Sequence, residues 1–555
     1  MDSSKNNLDL ANLLIPSSIP EFSEIEKKYP ERNLPEGSLV VRVAPSPTGF
    51  THFGLIFTAM IDEHLAQQTK GVFMLRIEDT DKDREVEGGT VQIIKALHDF
   101  DIQYQEGPLE DGQELGSYGP YIQSHRQEIY LSAARELLMS GHAYPCFCTE
   151  QHLSNVRVAQ EGRKLRTGYY GEFATCRNLT LAQVKESLAN DLPFVLRFRS
   201  PEDSHPSTFN DSIKDKITLP ANDVDYVLIK SNLGLPVYHL AAMVDDHLQR
   251  INQVIRGDEW LPSLPVHLQI ISAFGWTAPE IGHLSPVMKM DGPTTKRKLS
   301  KRKDPEAAAT YYLEQGIPSQ AVKAYVLNIA DSHFEDWRKA NQTAKLADYP
   351  FDLSHMGGSG ALFDSVKFSD ICKQEISLMT PEEVYVKVEI WAKQYHPEFH
   401  AILTKDIDYS KKLFTIERGG DKRRKDIAQW SQIPDLFGYF YDDIYNTLTI
   451  TPAAEHITSA AEVNQILVQF LTHYHPADDK DTWLEKLRTL CTSLGYAANM
   501  KDYKANPESF KGHLGDVAMI LRMALSGRTQ TPDLYEMLQT MGEQRVRDRL
   551  QKFVN

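Results

Sequence analysis

Three short stretches of this chain carry side chains suited to phosphate and carboxylate chemistry. The first is His52-Phe53-Gly54, at the end of VRVAPSPTGFTHFG. An imidazole at a helix start can meet a phosphate oxygen, and a glycine there lets a ligand approach the backbone. The second is Arg76-Ile77-Glu78-Asp79-Thr80-Asp81, where a cation is followed by acids. The third is KMDGPTTKRKLSKRK, Lys289 to Lys303, with seven Lys or Arg residues and one acid. Lysines on a mobile loop serve phosphoryl or nucleotidyl transfer, because charge gathers on phosphate oxygens in the transition state. Taken singly, each stretch has a plainer reading as a helix cap, a polar strand end or a solvated charge run. The P-loop spacing GxxxxGK[ST] and the dinucleotide spacing GxGxxG are both absent from the first stretch.

The elements that must position these residues read as a βα alternation. The pattern predicts a buried strand at 39–44, a helix at 55–69, a second strand at 72–77 and a second helix at 90–100. Charges at the end of the second strand fit a parallel sheet with its site at the strand ends. A helix follows at 124–140. Between about 142 and 223 the alternation lapses, and this segment reads as an insertion. A strand at 224–229 and the run 236–244 return to the nucleotide fold. VDDHLQRINQVIRGDEW, a helix at 264–274 and HLSPVMKM complete it. A helical connector ends in the turn Gly357-Gly358-Ser359-Gly360. Beyond it, helical patterns at 381–394, 424–430, 460–474, 480–494 and 513–525 predict an all-α bundle or solenoid. Residues 1–37 read as a polar extension with one short helix at 20–28.

Length and composition agree with several soluble domains. The chain has 555 residues, 41% hydrophobic and 25% charged. No apolar run approaches the ~20 residues of a membrane span, and the N-terminus lacks a secretory pattern. A cytoplasmic protein with no membrane partner, acting as a monomer, is expected. Five cysteines make no disulfide framework, but Cys146, Cys148 and Cys176 cluster and suggest a metal in a reducing compartment. The net charge of −16 argues against a generic nucleic-acid coat protein, yet leaves room for local basic patches.

The order of the three stretches resembles that of class I aminoacyl-tRNA synthetases. The wording RVAPSPTGFTHFG, RIEDTD, PVYHLAAMVDDH, VIRGDEW and KLSKRK is similar to the glutamyl-tRNA synthetase family, of bacterial type, from about residue 38 to 375. The resemblance implies a fold and a domain plan. A Rossmann-type parallel-sheet catalytic domain would occupy 38–141 and 224–303, after the 1–37 extension. An acceptor-stem domain would be inserted at 142–223, and 304–375 would be a stem-contact connector. An all-α anticodon-binding region would occupy 376–555.

The resemblance also implies an activity: ATP and L-glutamate give glutamyl-adenylate, and the tRNA(Glu) 3′ end then takes the glutamyl group. Magnesium (Mg2+) would accompany the ATP, and bound tRNA would be needed before glutamate is activated. By position, His52 and Gly54 occupy the HIGH-type motif. Lys298 and Lys301 occupy the KMSKS-type loop, with Leu299 for its Met and Arg302 in its last place. Lys301 is the expected stabiliser of the pentavalent phosphorus. Glu259 and Trp260 match the region beside the adenosine. Arg42, Ala44, Ser46, Glu78, Tyr238 and Arg256 match positions that hold glutamate. Arg42 is the expected partner of the side-chain carboxylate, with Arg256 in support, and Glu78 that of the α-ammonium. Two positions depart from the pattern: Ala242 stands where Asn is frequent, and Leu55 where a small residue is usual.

Cys146-Phe147-Cys148 followed by Cys176 resembles the zinc (Zn2+) insertion of some members. Zinc wants four ligands, and Asn178 at the usual fourth place is a poor one; Tyr170 or His152 could substitute. A metal-free remnant is the alternative. A second basic cluster, Lys411-Lys412 and Lys422-Arg423-Arg424-Lys425, could follow phosphates of the anticodon arm. Phe414 and Trp430 beside it read as core more readily than as base-stacking residues. Other classes are a truncated relative that modifies a tRNA base, which the long helical tail contradicts, and a non-catalytic tRNA-binding paralogue, which the intact motifs contradict.

Overall fold

The structure, a computed structural model, describes residues 2–49, 51–300, 302–358, 360–418 and 423–554. Two compact units result: Met1–Tyr311 with Val322–Asp364, and Tyr312–Ala321 with Ser365–Asn555.

In the first unit, strands Val40–Val43 and Val72–Leu75 pair in parallel, with Val41 opposite Phe73. Every residue of both strands is buried, as expected for a parallel sheet covered on both faces. Strands Gln253–Gly257 and Glu280–Leu284 form a second parallel pair. The pairs are joined where Val40 N donates to Asn252 Oδ1 at 2.7 Å and Asn252 N donates to Val40 O at 3.1 Å. Helix Phe53–Thr69 connects the first two strands. Its exit is so tight that a Cβ on Gly71 would lie 1.8 Å from Leu39 O, which only glycine avoids.

Strand Val227–Ile229 does not resume the parallel sheet. It pairs antiparallel with Val195–Phe198, which also pairs with Ala143–Cys146. This short strand therefore closes the sheet of the inserted segment. The chain then enters helix Tyr238–Leu248, whose Leu240, Ala241 and Val244 lie in the core.

The N-terminal extension is more ordered than its polarity implies. Helices Asp2–Leu14 and Phe22–Glu26 bury Ala11, Leu14, Ile15, Phe22 and Ile25 in the same core as Tyr130, Ala133 and Leu137. The apolar residues recur every three or four positions, enough for one narrow buried stripe.

In the second unit, among the described residues, helices and turns account for all regular structure after Ser365. Helices Pro381–Tyr395, Ala460–His473, Lys480–Leu494 and Leu514–Ser526 match the periodicity. The stretch 424–430 is not helical. Arg424 turns onto Asp426, and Trp430 N donates to Gly316 O at 3.0 Å, a backbone bond to a distant segment instead of a helical one. Asp421 and Lys422 of the basic cluster lie outside the described residues. Phe414 and Trp430 are core residues, at 2% and 4% exposure. No helix among the described residues is long and apolar enough to cross a membrane.

Candidate active site

The carboxyl ends of strands Val40–Val43 and Gln253–Gly257 open into a cavity of about 460 Å³. Arg42, Ala44, Ser46 and Glu78 line it, with Tyr238 and Arg256. His52, Gly54, Glu259, Trp260 and Lys298 line it as well. Lys301 lies outside the described residues. Parallel strands bring their charged ends to one edge, where helix Phe53–Thr69 begins with its His52 cap.

His52 caps helix Phe53–Thr69. Its Nδ1 accepts from Gly54 N at 3.0 Å, so in the neutral ring the proton sits on Nε2, the donor a phosphate oxygen needs. A Cβ on Gly54 would meet no protein atom nearer than His52 Nδ1 at 3.4 Å. Glycine at this lining position leaves ligand space that a side chain would narrow. Leu55 lines the cavity too.

Two arginines of the glutamate-type positions are buried and held differently. Arg42 Nε donates to Asp246 Oδ1 at 3.0 Å and its Nη1 to Ile255 O at 3.3 Å. Arg76 is wholly buried behind it. Its Nη1 donates to Asp246 Oδ1 at 2.8 Å and to Gln249 Oε1 at 2.9 Å, and its Nη2 to Glu78 Oε1 at 3.3 Å. Burial pushes the Glu78 carboxyl up to about 7, against the pull of Arg76 and Arg42. Asp246 ends below the usual carboxylate range: burial opposes this, but Arg42 and Arg76 outweigh it. Asp245 takes Arg126 Nε at 2.7 Å and Tyr130 Oη at 2.9 Å, locking the layer beneath.

Arg256 contacts imidazoles. Its Nε donates to His283 Nε2 at 3.0 Å, and its Nη1 lies 3.0 Å from His267 Nδ1. It also borders a second cavity, of about 410 Å³, walled in part by Trp276. Tyr238 packs against Trp260 with ring centroids 4.1 Å apart, joining the two expected ligand halves. Ala242 is fully buried in the core and is not among the residues lining the cavity.

The described part of the basic stretch is a β-hairpin, Met288–Met290 against Lys296–Lys298, where a mobile loop was expected. The reason lies just beyond it. Asp304 accepts from Arg297 Nη2 at 2.8 Å and from Ser300 N at 2.9 Å, and Glu306 pairs with Lys289. The hydrogen bonds from Arg297, chiefly, hold the Asp304 carboxyl well below its usual range. Buried Leu299 anchors the strand end, while Lys298 at the cavity makes no ion pair among the described residues.

The cysteine cluster is real in space. The Sγ atoms of Cys146, Cys148 and Cys176 lie within 4.8 Å of one another, with Cys148 and Cys176 3.5 Å apart. Thiolates on one tetrahedral zinc would be about 3.8 Å apart, so three corners fit. Hydrogen bonds from the other two thiols draw the Cys146 thiol down, and the same contact with Cys146 drives Cys148 up. Tyr170 is not the fourth donor: its hydroxyl donates to Arg166 O at 2.6 Å. The phenol against the thiols is Tyr169, whose oxygen is 3.2 Å from Cys148 Sγ and accepts from Cys176 N at 3.0 Å. The two neighbouring tyrosines thus turn opposite ways, Tyr169 to the thiols and Tyr170 to Arg166. Asn178 Oδ1 lies 3.4 Å from Arg199 Nη1.

Asp246, His267, His283 and Asp211, and the role of Arg76 in holding Glu78, emerged only in three dimensions. Arg76 and Asp246 sit inside RIEDTD and VDDH, where charged residues in apolar surroundings were the available signal. The histidines carried none.

Residues 38–336 match the family model for the catalytic domain of class I tRNA synthetases (E and Q), and residues 421–554 match an anticodon binding domain. The glutamate–tRNA ligase of Acetivibrio thermocellus is 43% identical over 549 residues, covering 98% of this chain and 99% of that one. That of Clostridium perfringens strain SM101 is 44% identical over 550 residues, with 98% and 99% covered. A crystal structure of a glutamate tRNA ligase from Elizabethkingia meningosepticum in complex with its amino acid superimposes with a TM-score of 0.74 at 27% identity, covering 93% of this chain and 99% of that one.

Proposed function

Because the chain belongs to the class I synthetase family for glutamate and glutamine, we propose that its 460 Å³ cavity is where glutamate and ATP meet. The chain is a glutamate–tRNA ligase: it attaches glutamate to tRNA(Glu) at the expense of ATP. The observation that carries the placement is the convergence of two chemistries on one cavity. Arginines and a carboxylate lie by the strand ends, the His52 cap and Gly54 lie at the helix start, and Lys298 lines the same cavity from its hairpin.

In this reading Arg42 Nη2, uncommitted among the described residues, meets the γ-carboxylate, with Arg256 in support. Ala44 and Ser46 face the glutamate backbone, and ionised Glu78 pairs with its α-ammonium. Tyr238 closes the glutamate half. His52 Nε2–H donates to an ATP phosphate, Gly54 makes room for adenine, and Glu259 and Trp260 border the adenosine. The α-carboxylate attacks the α-phosphorus in line, and pyrophosphate leaves. Lys298 and Lys301 balance the charge that builds on the phosphate oxygens. The terminal ribose hydroxyl of the tRNA then displaces AMP from the mixed anhydride. Magnesium arrives with the ATP. The three thiols, with Tyr169 beside them, would hold a structural zinc that pins the inserted sheet. The helical region 376–555 reads the anticodon arm, and the chain works as a monomer.

Pyrophosphate exchange with glutamate, ATP and tRNA tests the reading. Exchange in the wild type, lost by two orders of magnitude or more in Lys301→Ala, is expected. No exchange in the wild type with tRNA present would overturn it. Charging separate tRNA(Glu) and tRNA(Gln) transcripts then shows which acceptors it takes.

A further inference from the structure

Arg256 is 7% exposed and lines the glutamate half of the cavity. Buried guanidinium groups ordinarily contact a carboxylate, since an unpaired buried charge is costly. Arg42, Arg76 and Arg126 obey this, through Asp246 and Asp245. Arg256 makes no ion pair among the described residues. Its Nε and Nη1 go to His283 and His267, and its Nη2 is buried with no hydrogen-bond partner among the described residues.

Those contacts fix the charge and tautomer of both histidines. A guanidinium only donates, so His283 Nε2 and His267 Nδ1 must be acceptors. His283 therefore carries its proton on Nδ1, which donates to Asp211 Oδ2 at 2.5 Å. Asp211 is itself tied by the backbone N–H groups of Ile213, Lys214 and His283. His267 carries its proton on Nε2 and gives it to His239 Nδ1 at 3.0 Å. All three rings are neutral in this chain, in keeping with burial, which lowers each of them, aided by the Arg256 charge.

We propose that His267 and His283 are specificity-determining supports of the glutamate site. They orient Arg256 through uncharged acceptors, so that its charge is left for the carboxylate of the ligand. This rests on the glutamate-ligase reading and deepens it. Glutamine has the shape of glutamate but brings a neutral amide with two N–H donors. It would leave the Arg256 charge buried and unmatched. A carboxylate in place of either imidazole would neutralise Arg256 in advance and erase that difference.

Isosteric pairs isolate the charge. His267→Asn keeps an acceptor at the Nδ1 position, and His267→Asp differs from it only by a charge. His283→Gln and His283→Glu form the second pair. The readout is kcat/KM for pyrophosphate exchange with glutamate and with glutamine, with tRNA present, and the KM for ATP. The neutral variants lose rate on both amino acids but keep the glutamate-to-glutamine ratio within about threefold. The charged variants lower that ratio tenfold or more, chiefly through the glutamate KM, with the ATP KM unchanged. Equal ratios within each pair would overturn the inference while leaving the ligase reading intact; a wild type without glutamate-dependent exchange would instead fail the ligase reading. Should a charged variant not fold, 15N spectra of the wild-type histidines decide. Neutral rings protonated at Nε2 for His267 and Nδ1 for His283 at pH 7 support the inference, and an imidazolium at either overturns it.

Discussion

Arg42 Nε donates to Asp246 Oδ1 at 3.0 Å, joining two residues 204 positions apart in the sequence. Arg42 stands on the first strand of the sheet and Asp246 on helix Tyr238–Leu248, so this bond ties the two halves of the nucleotide fold at the glutamate site, in addition to the Val40–Asn252 pair. The same carboxylate oxygen takes Arg76, which in turn reaches Glu78. Asp246 thus positions the proposed cation for one end of glutamate and the proposed anion for the other.

Asp246→Asn removes the charge but keeps the shape. Two buried guanidinium groups then lose their shared anion, at a cost of about 3–5 kcal/mol in stability. The glutamate KM should rise tenfold or more while the ATP KM stays within threefold, because His52 and Gly54 are positioned by their own helix. Initial rates with each substrate varied in turn check this. Parallel rises in both KM values would show that Asp246 merely supports the fold.

Glu78 predicts a pH profile. Its carboxyl is pushed up to about 7 by burial, so the free enzyme binds its proton more tightly than the unfolded chain does. A raised carboxyl contributes stability that is present below the ordinary carboxylate range and is lost as the pH climbs through about 7. Binding of an α-ammonium needs the ionised form. The ionised fraction goes from about one-tenth at pH 6 to about nine-tenths at pH 8, so kcat/KM for glutamate should rise about tenfold across that interval. Glu78→Gln should be slow throughout and flat in this range. An equally steep rise in the Gln variant would assign the titration to another group.

The thiol cluster predicts bound metal. The purified full chain should contain about one zinc, and Cys148→Ser should lose it, as measured by elemental analysis. Removing zinc with a chelator should loosen the sheet of strands Ala143–Cys146, Val195–Phe198 and Val227–Ile229 and speed its amide exchange. Metal-free protein with unchanged exchange in Cys148→Ser would identify the cluster as thiols packed against Tyr169.

Much of this site could be read from the chain because its residues lie in short runs. Strand, loop and helix start follow one another within 40–54, so local pattern places Arg42, His52 and Gly54 together. What holds them could not be read in the same way. Asp246, His267 and Asp211 reach the site from a helix, another helix and a hairpin, and pairing across such distances leaves no periodic mark. Tyr169 and Tyr170 were separable only by the direction of the backbone. The hairpin at 288–298 was hidden because its restraining acids, Asp304 and Glu306, fall just past the basic run. The strand at 227–229 has the apolar run of a parallel strand and differs only in its partner.

The N-terminal extension was the least legible part, and Arg32 within it gives the last prediction. Arg32 grips Glu106 with both terminal nitrogens, at 2.7 and 2.9 Å, and lies over the Tyr118 ring at 3.7 Å. Its Nε and Nη2 also donate to Gln249 O at 3.1 and 3.0 Å. The Gln249 side chain accepts from Arg76, so Arg32 is two bonds from the group that holds Glu78. Arg32→Ala leaves Glu106, 8% exposed, with Tyr121 as its remaining side-chain partner, and should cost about 3 kcal/mol. It should also raise the glutamate KM severalfold more than the ATP KM, since the chain of contacts ends on the glutamate side. Arg32→Lys should not rescue it, because an ammonium cannot span Glu106 and Gln249 O in one plane. Thermal melts and paired KM measurements on both variants test this. Full rescue by lysine would show that only the charge of Arg32 matters, and an unchanged glutamate KM in Arg32→Ala would confine the extension to a purely stabilising role.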